Sequence, residues 1–265
     1  WDNKAANTLD TLGFGYYTIG LGINNHNQMV GSAWAGSTFH PVRWDDSAIT
    51  DLGTLGGGSG EAWGINDQGQ VVGHSNTTGD DADHATLWNG SNIVDLGTLG
   101  GTNSDAQIIN NHGQIAGNSH LAGDEISHGV LWDGLNAAPL DLGTLGGTNS
   151  QTQSINNLGQ IVGASDLADG SSHATLWDNA THTIIDLNNF LPTDLAVAGW
   201  VLSLGRDIND KGVIVGWAAN TLDENLGGSF KLTPAVVPVP GAVWLFGSAL
   251  AGLVGVSRRK QGLSA

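Results

Sequence analysis

The heptapeptide Asp-Leu-Gly-Thr-Leu-Gly-Gly occurs unchanged at residues 51–57, 95–101 and 141–147, with a shortened version opening at Asp186-Leu187 and a blurred one at residues 8–14. It travels with other fixed elements. The pair Ile-Asn falls at Ile23-Asn24, Ile65-Asn66, Ile109-Asn110, Ile155-Asn156 and Ile208-Asn209, and Trp44, Trp88, Trp132 and Trp177 succeed one another at intervals of 44, 44 and 45 residues. A module of this size has apolar faces it cannot hide by itself, so modules must stack, and the fold is set by how one leans on the next.

Local signals inside one unit are those of strands. Residues 62–65 are short and apolar, Asn66-Asp67-Gln68-Gly69 has hairpin-turn chemistry, and residues 70–73 resume an extended run. A polar loop over 75–83 leads to a third strand at 84–88, Asn89-Gly90 supplies a turn tolerant of positive φ, and residues 93–99 complete a fourth strand. No sustained helical stripe precedes residue 234. A four-stranded unit of about 40–45 residues is the size of a propeller blade. The fold expected is all-β: a repeat-built β-propeller of about five four-stranded blades, plus a short C-terminal hydrophobic helix. Five groups of hairpin plus third strand are present, but only four lead into a fourth strand. Trp1-Asp2-Asn3 before Leu9 parallels Trp177-Asp178-Asn179 before Leu187, so residues 1–12 are expected to supply the missing strand. The two ends would then share one blade and leave no open sheet edge. The fifth unit is irregular, with an insertion around 195–205 and with Ser229 and Thr233 where His and Trp are expected.

Composition narrows the partners. With 8 Lys plus Arg against 25 Asp plus Glu the net charge is −17, and three of those cations are Arg258, Arg259 and Lys260. A body this acidic repels polyanions, so nucleic acid is excluded as a partner. The absence of Cys excludes disulfides and thiolate metal sites.

From Pro234 the character of the chain changes. Residues 234–240 form a Pro-rich spacer, 241–257 are 17 residues without a charge, and 258–265 form a basic tail. A membrane helix needs about 17–25 apolar residues, so 241–257 is expected to span a membrane, with the basic end cytoplasmic and the repeat domain (1–233) on the other side. Val237, Pro238, Val239 and Pro240, the hydrophobic run, then Arg258, Arg259 and Lys260 resemble a PEP-CTERM sorting signal, with Val239 where its motif usually has Glu. The resemblance implies export from a Gram-negative bacterium, transient anchoring in the inner membrane, recognition by an exosortase, and a final place at the cell surface or in the exopolysaccharide and biofilm matrix.

The body resembles a second family, the extracellular HAF repeats, through the heptapeptide, Ile-Asn-x-x-Gly-Gln and His-Ala-x-Leu-Trp, with His84-Ala85-Thr86 and His173-Ala174-Thr175 where the family name implies His-Ala-Phe. That family brings no established activity with it.

Candidate side chains emerge from the repeat. His40, His84, His128 and His173 share one repeat position and are expected to bond a neighbouring blade. The Trp44, Trp88, Trp132 and Trp177 ladder is expected in the core between blades. Trp34, Trp63, Trp200 and Trp217 stand outside that ladder and are candidate glycan contacts, because an indole face stacks on a sugar ring while its N–H stays polar. Loop carboxylates Asp80, Asp81, Asp83, Asp124, Glu125, Asp166 and Asp169 are candidate calcium ligands, although none has EF-hand spacing; no other cofactor is expected. Nucleophile-elbow, zincin and Walker motifs are absent from the sequence. An enzyme would draw on Asp194, Asp207, Asp210, Asp223 or Glu224, where the repeat symmetry breaks. The expected function is that of a non-catalytic matrix or cell-surface repeat protein, with a lectin-like propeller binding exopolysaccharide as the alternative and a polysaccharide-cleaving enzyme as a third reading.

Overall fold

The computed structural model describes residues 8–13, 17–46, 48–134 and 137–234. The chain divides into two compact units, Trp1–Thr233 and Pro234–Ala265. The sorting motif, the hydrophobic segment 241–257 and the basic tail lie outside the described residues. Among the described residues, no helix is long and apolar enough to cross a membrane.

The repeat unit is all-β and antiparallel. Its first sheet is β1 (Thr18–Ile23), β2 (Gln28–Trp34), β3 (Phe39–Asp45) and β4 (Ala48–Asp51). The second is β5 (Gly56–Ile65), β6 (Val71–Thr77), β7 (Asp83–Asn89) and β8 (Asn92–Asp95). The third comprises β9 (Gly100–Ile109), β10 (Gln114–Leu121), β11 (Ser127–Asp133) and β12 (Leu140–Asp141), and the fourth β13 (Gly146–Ile155), β14 (Gln160–Leu167), β15 (Ser172–Asp178) and β16 (Thr183–Asp186). The fifth has three strands, β17 (Trp200–Ile208), β18 (Ile214–Asn220) and β19 (Gly227–Leu232). Within each sheet the strands pair in chain order. Between sheets, each first strand packs on the second and third strands of the sheet before it, and successive first strands lie beside one another.

The Ile-Asn-x-x-Gly-Gln element explains both the hairpin and its link to the next unit. In the second sheet Asn66 Oδ1 accepts from the backbone N–H groups of Gln68 and Gln70 at 3.1 and 3.0 Å. Gly69 takes φ +74°, a left-handed conformation that a Cβ would penalise. The Asn66 amide is left free to donate sideways, and it reaches the carbonyl of Asn110, one unit on, at 3.1 Å. In the same way Asn24 donates to the Asn66 carbonyl at 3.0 Å, Asn110 to Asn156 at 2.9 Å, and Asn156 to Asn209 at 3.0 Å.

The heptapeptide carries the chain from one sheet to the next. The fourth strand expected over 93–99 ends at Asp95. Beyond it the chain forms a connector: the Asp95 carboxylate accepts from Gly97 N–H at 2.8 Å, Gly97 takes φ +71°, and Thr98 Oγ1 donates to the Gly101 carbonyl at 2.8 Å. The side-chain bonds close the bend before a strand can continue. Gly101 must be glycine because a Cβ there would meet the Leu121 carbonyl oxygen at 2.6 Å.

The core lies between sheets and is centred on the tryptophan ladder, as its repeat position requires. Trp44, Trp88, Trp132 and Trp177 are no more than 2% exposed. Trp132 packs with Val72, Leu87 and Leu96 of the preceding unit, and its Nε1 donates to the Leu96 carbonyl at 2.7 Å. Trp88 and Trp44 bond Gly53 and Asp10 in the same way at 3.0 and 2.9 Å. Asp10 therefore stands where Gly53 stands in the next repeat, and Leu9 and Leu12 pack beside Trp44. The strand expected over 1–12 is corrected on this point: Thr8–Leu12 takes the role of a connector because its leucines fill the first unit's core. Residues 1–7 lie outside the described residues.

The fifth unit differs most. The insertion expected at 195–205 falls earlier, as a 3₁₀ turn (Leu187–Phe190) and a five-residue helix α1 (Thr193–Val197), while 200–205 belong to β17. Val215 and Trp217 of β18 are 42% and 61% exposed, although Val162 and Ala164 at the same positions of β14 are buried. β1 likewise exposes Ile19, Leu21 and Ile23.

Candidate functional site

Three hollows bring together side chains from several sheets. The first, of about 330 Å³, is ringed by the five Ile-Asn pairs and the residue after each: Asn25, Asp67, Asn111, Asn157 and Asp210. Nearly every polar group there is committed. Beyond the asparagine amides, Asn25, Asp67, Asn111 and Asn157 each donate a backbone N–H to the side chain of the equivalent residue one unit on, at 3.0, 2.9, 2.9 and 2.8 Å. Hydrogen bonds from Asn25, first by its side chain and then by its backbone, hold the Asp67 carboxyl below its ordinary range; for Asp210 those from Asn157, first backbone and then side chain, have the same effect. This is a structural clasp.

The second hollow, of about 350 Å³, lies between the second and third sheets and breaks the repeat. Its walls are Trp63 of β5, His74 of β6 and Asp83 of β7, faced by Asn103 and Asp105 of β9, Asn118 and His120 of β10, and Ser127 of β11. Val72 and Ala85, two residues from His74 and Asp83 on regularly paired strands, share their face of the sheet and are buried against Ala106 of the next unit, so the cleft lies beside that apolar core. The Trp63 and His74 rings lie 4.7 Å apart at 44°. Trp63 Nε1 donates to Glu61 at 3.0 Å, which fixes the indole, and His74 Nδ1 lies 2.8 Å from Asp83. Asp105 accepts from Gln107 and Asn118 at 2.9 and 3.2 Å.

Electrostatics here are unlike those of the clasp. Burial pushes the Asp105 carboxyl up, against the pull of those two amides. Burial of His74 favours its neutral form, but the hydrogen bond to Asp83 and the charges of Asp83, Glu61 and Asp105 outweigh it and raise the ring above its ordinary value. Among the described residues, no Lys or Arg lines the cleft. A further cleft of about 300 Å³ occupies the corresponding place between the third and fourth sheets, sharing Asp105, Asn118 and Ser127 and adding Asn149, Gln151, Ala164 and Asp166. At the repeat positions of Glu61 and His74 the third sheet has Asp105 and Asn118, and the fourth has Gln151 and Ala164.

No family model matches the chain, and no curated protein matches it. Among solved structures, it is similar to the crystal structure of TolB from Acinetobacter baumannii, with a TM-score of 0.46 and 13% identity over 62% of this chain and 41% of that one. The chain thus spans less than half the length of that protein.

The residues singled out in the sequence are spread over the whole repeat unit. Of the four candidate glycan contacts, Trp63 alone lines this cleft. Trp34 packs edge-on against Phe39 at 5.2 Å, Trp200 is half-buried on β17, and Trp217 stands out on β18. Asp83 is in the cleft. Asp80 and Asp124 lie in hairpin turns at φ +62° and +61° and accept from Gly58 and Thr102 N–H at 2.6 Å. Asp169 caps Ser171 N–H at 3.0 Å and Asp166 accepts from Asn149, while Asp81 and Glu125 are exposed. Among the described residues no three His, Asp or Glu side chains are grouped to hold a metal ion. Of the residues weighed for catalysis, Asp207 accepts from Ser154 Oγ at 2.7 Å, Asp210 belongs to the clasp, Asp223 caps Asn225 N–H, and Asp194 and Glu224 are exposed. The repeated histidines meet the expectation only in part. Nδ1 of His40, His84, His128 and His173 lies 2.8 Å from the carboxylate of Asp51, Asp95, Asp141 and Asp186 in the same sheet, and His128 also reaches the next sheet, where its Nε2 lies 3.2 Å from the Thr148 carbonyl. The strand and its heptapeptide run antiparallel, so the two residues meet across one pair of strands. His74, Glu61 and Asp105 are not apparent from any motif, yet the sequence carries a signal for them: each is a charged or titratable residue at a repeat position where the other units have different residues.

Proposed function

We propose that the repeat domain is a non-catalytic, lectin-like module that binds exopolysaccharide outside the cell. The observation that carries this reading is the cleft between the second and third sheets. It offers a half-buried indole, fixed by Glu61, beside amides and carboxylates from two sheets, and sugars are held by this combination of an apolar ring face and directed polar partners. Its volume of about 350 Å³ suits a monosaccharide unit of a longer chain, at the lower end of the roughly 300–1,000 Å³ of ligand pockets. A second cleft one unit on fits a polymer that makes repeated weak contacts, which gain through multivalency.

On this reading the five sheets close as a β-propeller. The gathering of five equivalent turns around one hollow supports that closure. The resemblance of residues 237–260 to a PEP-CTERM signal supports export, exosortase recognition and transient anchoring through 241–257, and the HAF-like body fits an extracellular home. A panel of neutral, amino and acidic oligosaccharides, presented with calcium and with chelator, tests the binding. Saturable binding that Trp63→Ala abolishes is expected, and no binding to any sugar in either condition would end the proposal. Replacing Arg258, Arg259 and Lys260 by Gln should stop processing and surface delivery.

A further inference from the structure

The cleft next to Trp63 has an unbalanced charge. Asp83 and Asp105 line this half-enclosed space, Glu61 holds the Trp63 indole and its charge acts on His74, and among the described residues no Lys or Arg lines the walls. Its bases are two imidazoles: His74, bonded to Asp83, and His120, which lies 3.6 Å from Asp124. Elsewhere in this acidic chain, carboxylates are satisfied by backbone N–H groups of turns, as at Asp80 and Asp124. Those of the cleft are not. Asp83 has His74, Glu61 has the Trp63 indole, and Asp105 has two neutral amides. A buried carboxyl group without a fixed cation is costly to ionise, and the cost falls when a positive charge enters. The neighbouring cleft shares Asp105 but has no indole and no imidazole on its walls; Gln151 and Ala164 stand at the positions of Glu61 and His74, and its other carboxylate, Asp166, accepts from the Asn149 backbone N–H.

We infer that the cleft selects a sugar bearing a free amine, a deacetylated hexosamine unit, over neutral and uronate sugars. This rests on the saccharide reading above and names the class of sugar. The ring stacks against Trp63, the ammonium group lies by Asp83 and Asp105 in the field of Glu61, and Asn103 and Asn118 are placed to bond hydroxyl groups. A uronate would add a further negative charge to a space without a permanent cation, and repulsion in a partly dry site is strong. An N-acetylated unit keeps the ring but has no charge to offer.

The experiment is titration of the full chain, monitored by tryptophan fluorescence and calorimetry, with three trisaccharides: glucosamine, N-acetylglucosamine and galacturonic acid. The glucosamine trimer is expected to bind at least tenfold tighter than the acetylated one, with a preference that shrinks as salt screens it, and the uronate trimer should not bind. Glu61→Gln and Asp105→Asn should bring the two hexosamine affinities within about twofold of each other, and a retained tenfold preference in both variants would overturn the amine assignment. An unchanged circular-dichroism spectrum shows that the variants still fold. Equal or tighter binding of the acetylated or the uronate trimer overturns the amine assignment and leaves the saccharide site standing. Binding of none of the three overturns both. Binding of hexylamine as tightly as the glucosamine trimer overturns the role of the ring.

Discussion

The clasp and the cleft between the second and third sheets are nearly equal in size, about 330 and 350 Å³, and both are lined by polar side chains from adjoining sheets. They differ in how far those side chains are spoken for. In the clasp, asparagine amides and backbone N–H groups bond the next unit in four successive steps, with the same geometry each time. In the cleft the residues change from unit to unit, and their carboxyl groups are left with neutral or titratable partners. Repetition of a polar residue in this chain marks where it holds two units together, and departure from the repeat marks where chemistry is on offer. Substitutions can test that division.

The largest effect is expected where the repeat is apolar. Trp132 is fully buried and its indole N–H is bonded to Leu96, so Trp132→Ala should cost about 3–5 kcal/mol, read as a lowered denaturant midpoint. Asn110→Ala comes next. It removes an amide that bonds Gln114 and the Asn156 carbonyl, and an oxygen that accepts two backbone N–H groups. Because Asn110 is 5% exposed, the orphaned partners should cost about 1–3 kcal/mol. Trp63→Ala should reverse the pattern: at least tenfold loss of oligosaccharide affinity with a smaller change in stability than Trp132→Ala. Equal losses of stability in the two tryptophan variants would erase the distinction between core and cleft.

That distinction was half legible in the sequence. Spacing alone places Trp44, Trp88, Trp132 and Trp177 between units, because a large aromatic recurring once per module must face the same neighbour each time. The hairpin at Asn66–Gly69 reads directly from its turn chemistry. The connector role of the heptapeptide does not, since the apolar run Ile93-Val94 passes into Asp-Leu-Gly-Thr-Leu without a Pro or a polar cluster to break it, and only the bond from Gly97 N–H to Asp95 shows that the strand stops. The partners of the repeated histidines were likewise hidden, because His84 and Asp95 are 11 residues apart and meet only once β7 and β8 pair. Trp63 stood out as a tryptophan outside the ladder. Its companions His74 and Asp105 come from different strands and different units, and a linear pattern does not bring them together.

The cleft should also be visible in the pH dependence of stability. His74 is raised in the folded protein, so it binds its proton more tightly there than in the unfolded chain. The stability it adds is fully present below the ordinary value of 6.5 and is lost as pH rises through the raised value. Asp105 is raised as well, from an ordinary 3.8. The folded state therefore resists its ionisation, and stability falls as pH climbs from the ordinary value through the folded one. Urea midpoints between about pH 4 and pH 8 should decline more steeply in the native chain than in His74→Gln, which removes the upper part of the slope, or in Asp105→Asn, which removes the lower part.

The smallest effect is expected at the repeated histidine–aspartate pairs, although their recurrence makes them look essential. The His84 and Asp95 side chains are 21% and 44% exposed, and half-exposed ion pairs contribute about 0–1 kcal/mol. His84→Gln should stay within that range. Asp95 has a second task, since its carboxylate also accepts from Gly97 N–H and closes the bend into the next sheet, so Asp95→Ala should cost more than His84→Gln. If the two variants were equally destabilised, the histidine contact would be the one that matters and the bend would hold without its cap. If Asp95→Ala alone is costly, the imidazole rests on an aspartate whose main work is to turn the chain, and recurrence at this position belongs to the connector.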